Sequence, residues 1–168
     1  MKKNSAGFTL IELVVAVLIA AILGRIGFDM FKRYIVRANR SLAKTALMSL
    51  AAKQETQALQ NPTTGYATNF FPLNGLGSTS NVITTFYIDQ SGAVVGTASA
   101  SIYQISFAAS PTPSGTAYAF QAVAQGVQAT REARGNPDCT TLILNSTGLK
   151  QAQNSSGIAV DVSSCWDK

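Results

Sequence analysis

Residues 8–23 read FTLIELVVAVLIAAIL, and Glu12 is the one charge among them. An apolar run of this kind suits the interior of a bilayer. A carboxylate at that depth costs roughly 2.5–3.5 kcal/mol on insertion scales, so a plain anchor has no use for one. A charge kept inside a membrane segment implies a function and a partner. The reading of this stretch decides the rest of the chain.

Before the run, residues 1–6 are polar and basic, with Lys2 and Lys3, and Gly7 stands at the junction. A secretory signal carries its small-residue cleavage site after the apolar region. Here the glycine comes first, so a cut between Gly7 and Phe8 would leave the apolar segment on the mature chain. The two lysines favour a cytoplasmic N-terminus. The run falls slightly short of the ~20 residues that span a bilayer. Arg25 interrupts it, and residues 26–31 are again mostly apolar. Arg25 is placed either to snorkel to the interface or to pair with Asp29 one turn on. Gly24 and Gly27 weaken the helix by about 1 kcal/mol each relative to Ala. The helix is therefore expected to loosen between Gly24 and Asp29 in an assembled filament.

Beyond the run, helical pattern continues to about Gln60, where Asn61-Pro62 stops it. Phe28, Phe31, Ile35, Ala38, Leu42 and Ala46 recur every three or four residues, and Leu47, Leu50 and Ala51 extend the stripe. Arg33, Arg37, Arg40 and Lys44 form a second stripe. Its expected role is a solvated face, with lipid headgroups, neighbouring subunits or DNA as sharper readings.

Charge divides the chain. The net charge is +5. Past residue 61, however, Arg131, Arg134, Lys150 and Lys168 face Asp89, Glu132, Asp138, Asp161 and Asp167. The high pI belongs to the stem, and pI alone makes no case for nucleic acid binding. Residues 61–100 read as a long irregular connection with one short strand at residues 85–88. Alternating patterns mark strands at 101–107, 118–123 and 141–145, with turns at 110–115 and 145–148. The inward sets are Tyr103, Ile105, Phe107; Tyr118, Phe120, Ala122; and Leu142, Leu144. An antiparallel sheet of three or four strands follows, covered by the upper stem at residues 45–59. The fold class is α+β, a long N-terminal helix packed on a small antiparallel sheet.

Cys139 and Cys165 are the two cysteines, and there is no histidine. In an exported domain they most simply pair, which stabilises by about 3.5 kcal/mol in the chain-entropy model. Two buried free thiols are the alternative. Two cysteines without histidine make a poor metal site. No phosphate loop and no nucleophile–base pairing occurs in the sequence, so neither enzyme activity nor a cofactor or metal is expected. Trp166 beside Cys165 is expected to pack on the cysteine pair, and Tyr66, Phe70 and Phe71 to seat their loop on the sheet.

The string Gly7-Phe8-Thr9-Leu10-Ile11-Glu12-Leu13 resembles the prepilin motif of type IV pilins and of the related type II secretion pseudopilins. The resemblance implies that prepilin peptidase cuts after Gly7 and N-methylates Phe8. Glu12 then pairs with the terminal amine of a neighbouring subunit. Many type IV pilins carry a proline where this chain has Asp29. Gln54-Glu55 ahead of Gly65-Tyr66-Ala67-Thr68 is similar to PilE-type minor pilins. So is the stretch from Cys139 through Gly148 to Cys165-Trp166, which in that group is the disulfide-bounded terminal region.

The pilin fold implied here has a leader at 1–7 and a helix at 8–60. Residues 8–31 of that helix form the membrane and filament core and 32–60 the stem. A periplasmic head at 61–168 carries the αβ-loop, the sheet and a C-terminal disulfide loop. The implied function is a structural subunit of a type IV pilus, a minor pilin, held in the inner membrane and then exported in an extracellular filament. Implied partners are other pilin subunits, the peptidase, the inner-membrane assembly platform and membrane lipid. The alternatives are a type II secretion pseudopilin, or a DNA-uptake or adhesive pilin acting as a binding module.

Overall fold

A computed structural model describes residues 9–75 and 82–167. Helix α1 runs over Leu10–Gln60 and the short α2 over Phe71–Asn74. Strands β1 (Thr85–Ile88) and β2 (Val94–Val95) follow, then a 3-10 turn at Ala98–Ala100. Next come β3 (Tyr103–Phe107), β4 (Ala119–Ala124), α3 (Gly126–Ala133), β5 (Thr141–Asn145), β6 (Lys150–Gln153) and α4 (Val162–Trp166). The six strands form one antiparallel sheet in the order β2-β1-β3-β4-β5-β6.

The chain divides into two compact units, between Ile35 and Val36. In the first, residues 10–23 of α1 are apolar on all sides apart from Glu12, and their side chains stand exposed. An all-round apolar helix belongs in lipid or among other helices, because its backbone bonds are satisfied internally and its surface has no affinity for water. α1 is long and apolar enough to cross a membrane. Asp29 pairs with Lys32 at 4.0 Å rather than with Arg25, and Lys32 also lies 4.1 Å from the centroid of the Phe28 ring. The helix is unbroken through Gly24 and Gly27 in the isolated chain. The expected loosening concerns the filament.

In the second unit the sheet presents one apolar face. Period-2 alternation puts Phe86, Ile105, Ala122, Leu142 and Ala152 in one cross-strand row, each paired with the next and each buried. The opposite row, Tyr87-Gln104-Val123-Thr141-Gln153, is mostly polar. Phe70 is wholly buried and meets Phe86, Phe107 and Phe120 at centroid distances of 4.8, 4.9 and 5.8 Å. Phe70 thus seats the loop as expected, while Phe71 is more than a third exposed.

On the stem, Ala43, Leu47, Leu50 and Gln54 are buried at spacings of four, three and four. They turn one side of the helix into the core. The contact begins lower than the expected 45–59: Asn39 and Arg40 are already buried. The head at residues 61–168 therefore shares its core with residues 39–54 of the stem.

Among the described residues the sheet has six strands instead of three or four. The connection after residue 61 contains α2, β2 and the 3-10 turn besides β1. One close approach fastens that connection. Gly65 has φ +67°, and a Cβ there would stand 2.0 Å from the Gly115 carbonyl oxygen. That oxygen accepts a 3.0 Å hydrogen bond from the Tyr66 N–H. Only glycine fits this conformation at this distance.

Candidate functional site

Gly7 and Phe8 lie outside the described residues. Glu12 is described, and it stands exposed in the first turn of α1. Its N–H donates to Thr9 Oγ1 at 3.3 Å. Thr9-Leu10-Ile11-Glu12 thus has the order of a capping box, with the hydroxyl satisfying one orphan donor of the helix N-terminus. An acid in the first turn also complements the helix dipole. Glu12 therefore has a local role in starting the helix, which the sequence reading missed although the S/T-x-x-E pattern was visible. Neither local role explains a carboxylate placed within an apolar run.

Further along α1, the basic stripe is not a uniformly solvated face. Arg33 and Arg37 are exposed. Arg40 is 6% exposed, and its Nε and one terminal nitrogen meet the two carboxylate oxygens of Glu132 at 3.2 and 2.5 Å. Glu132 is wholly buried. It also accepts from the Tyr103 hydroxyl at 2.9 Å and from Gln128 Nε2 at 3.0 Å. Gln128 in turn accepts from Asn39 Nδ2 at 2.9 Å and donates toward the Val36 carbonyl at 3.3 Å. Burial opposes the charge on Arg40, but the hydrogen bonds and charge of Glu132 outweigh it and raise its pKa. Burial, then the Glu132 charge, pushes the Tyr103 phenol well above its ordinary value.

Lys44 sits one turn above Arg40, and its ammonium donates to the Trp166 carbonyl at 2.7 Å. Burial first, and then the neighbouring Arg40 charge, lower its pKa. The Trp166 indole N–H donates to Gln151 at 2.9 Å, and Lys150 lies 5.4 Å from the Trp166 ring centroid. Cys139 and Cys165 form a disulfide with Cα atoms 5.7 Å apart, and Trp166 packs in the same core cluster. The disulfide ties α4 to the segment leading into β5. Higher on the stem, the Gln54 amide is wholly buried and makes reciprocal 2.8 Å bonds with the Ala67 N–H and carbonyl.

These are binding contacts within one chain. Among the described residues, no group of three or more His, Cys, Asp or Glu side chains is placed to hold a metal ion. An open cleft of about 720 Å³ has Asn39, Asp89, Ser101, Gly126 and Arg131 along its walls. It brings together one cation, Arg131, and one acid, Asp89, whose carboxylate is taken up by its own turn, accepting from the Ser91 hydroxyl and from the Ser91 and Ala93 N–H groups.

Comparison with known families agrees with this. The prokaryotic N-terminal methylation motif matches residues 2–24, the segment that holds Gly7, Phe8 and Glu12. No curated protein sequence matches the chain. The family described as "Type IV minor pilin ComP, DNA uptake sequence receptor" matches residues 30–143, from the stem through α3 to β5. That match takes in more than half of the chain and spans the helix-on-sheet arrangement, so the chain belongs to the ComP family of type IV minor pilins, a structural and non-enzymatic family.

Proposed function

We propose that the chain is a minor subunit of a type IV pilus that serves DNA uptake. The match to the ComP family over residues 30–143 carries this reading. In it, prepilin peptidase cuts between Gly7 and Phe8 and methylates the Phe8 amine. The mature protein waits in the inner membrane with its head in the periplasm, and the assembly platform then moves it into the filament. Residues 8–31 pass from lipid into a core of packed helices. A buried, unpaired ammonium at Phe8 is strongly unfavourable, and the Glu12 carboxylate of a neighbour neutralises it. Such a pair sets register more than it adds stability. Membership in the ComP family favours a pilus over a secretion pseudopilus.

The test uses two variants. Glu12→Gln removes the charge and keeps the side chain's length, whereas Glu12→Ala removes both; the bond to Thr9 Oγ1 comes from the backbone N–H and remains in each. Both are expected to accumulate as folded, processed protein and to be scarce in purified pili. Normal incorporation of Glu12→Gln would refute the pairing.

DNA is the proposed ligand of the head because the family is described as a DNA uptake sequence receptor. In the head-bearing unit, Arg37 and Arg134 are exposed and Arg131 is half-buried. Binding of duplex DNA should weaken as salt rises, and removing one phosphate-contacting arginine should reduce the slope of log K against log salt by about one. Affinity that does not change with salt would refute a phosphate-based contact.

A further inference from the structure

The most buried charge pair in the described chain plays no part in the proposed processing, and it lies where the stem joins the head. We propose that Arg40 and Glu132, with Tyr103, Gln128 and Asn39, form a polar latch. The latch fixes the rotation of α1 on the sheet and makes Val36 the limit below which the helix changes conformation without disturbing the head.

Three observations support this. First, the apolar contacts along the stem are made by Ala43, Leu47 and Leu50, and the other directional contacts, Lys44 to the Trp166 carbonyl and Gln54 to Ala67, lie above the latch. Apolar contact is non-directional, so it resists separation better than it resists rotation. An arginine fork on a carboxylate is directional, and a small rotation breaks both of its bonds. Second, the cluster is saturated. Both Glu132 oxygens are engaged, and among the described residues no buried side-chain nitrogen or oxygen lacks a partner. A half-satisfied network in this setting is worse than an apolar one, so losing one bond of the latch weakens the rest. Third, its position coincides with the boundary of the compact unit. Among the described side chains of α1, Asn39 and Arg40 are the first that are buried, Gln128 reaches the Val36 carbonyl, and the unit itself begins at Val36. Tyr103 lies on β3 and α3 follows β4 after Gln125 alone, so the latch holds the stem to both sheet and helix.

The inference rests on no functional reading. It is tested on the full-length chain in detergent micelles by backbone hydrogen exchange, with β3 and β4 as the internal reference. The double substitution Arg40→Met, Glu132→Leu keeps the site filled but removes the ion pair, leaving Gln128 beside the Tyr103 hydroxyl; replacing a buried ion pair by apolar side chains commonly preserves stability. The amides of residues 36–41 should exchange at least tenfold faster than in the unmodified chain while β3 and β4 keep their protection. Asn39→Ala buries no charge and removes one hydrogen bond of the latch. It should raise exchange at 36–40 about fivefold, the equivalent of one net hydrogen bond. Unchanged exchange at 36–40 in Asn39→Ala would overturn the proposal. So would acceleration in the double variant spread evenly over 36–41, β3 and β4.

Discussion

Gly65→Ala adds one carbon, and the structure says where it goes. The new Cβ would stand 2.0 Å from the Gly115 oxygen and 2.9 Å from its carbon, both backbone atoms of another loop. The loops must separate by about 1 Å or more, which breaks the bond from the Tyr66 N–H to Gly115. A net hydrogen bond is worth about 1 kcal/mol. The left-handed backbone costs an alanine another 1–2 kcal/mol or so. Tyr66 moves with the loop, and its edge-on contact with Tyr118, at 4.8 Å between centroids, is worth about 0.5–1.5 kcal/mol. The sum is about 3–4 kcal/mol. Gly148→Ala is the control. Gly148 has φ +76° and nothing within 4 Å of the position its Cβ would take, so only the backbone term applies, about 1–2 kcal/mol. Trp166 is the one tryptophan and is 5% exposed, so its fluorescence reports unfolding of the head during a urea titration in micelles. With a slope of about 2 kcal/mol per molar urea, the two midpoints should differ by about 1 M. Equal shifts for the two variants would refute the argument from close approach.

Gln54→Leu leaves the Ala67 N–H and carbonyl without their partner in a buried site, and should cost about 2–4 kcal/mol in the same titration. A loss below about 1 kcal/mol would mean that the amide contributes little. Asp161 caps α4, and hydrogen bonds from Ser164 and Ser163 hold its pKa at about 2, against an ordinary 3.8. Because the folded value is depressed, the cap's stabilisation is present above about pH 4 and is lost as pH falls through about 2. A carboxyl titration followed by NMR should show a midpoint for Asp161 near 2, and a midpoint near 4 would contradict the capping geometry.

The long helix was legible because its apolar periodicity is sustained and Asn61-Pro62 ends it. The strands β1, β3, β4 and β5 were legible because their side chains alternate. β6 was not, since Lys150–Gln153 contains one apolar residue, Ala152, and takes its place by register with β5 across the turn at residues 145–148. α3 was hidden for a different reason. Its buried residues are Gln128 and Glu132, polar and four apart, while Val127 is 64% exposed. A search for apolar periodicity therefore looks at the wrong face of that helix. The same inversion concealed the role of Arg40 and Lys44. Their stripe was visible, but their partners lie on α3 and α4, and nothing local in the sequence connects them. Gly7, Phe8 and Glu12 were legible because their chemistry is concentrated in one short motif.

The anchors of the stem are also a matter of timing. Arg40 precedes Glu132 by 92 residues, and Lys44 precedes Trp166 by 122. At roughly 5–20 residues per second of synthesis, each cation waits about 5–25 s for its partner. For the greater part of that interval, until β1, β3 and β4 have been made, Ala43, Leu47 and Leu50 have no sheet to cover them. The guanidinium and ammonium beside them stay hydrated while they are unpaired, which opposes burial of this part of the helix elsewhere. When α3 and α4 arrive, Arg40 loses its water, Lys44 becomes half-buried, and both become fasteners of the finished head.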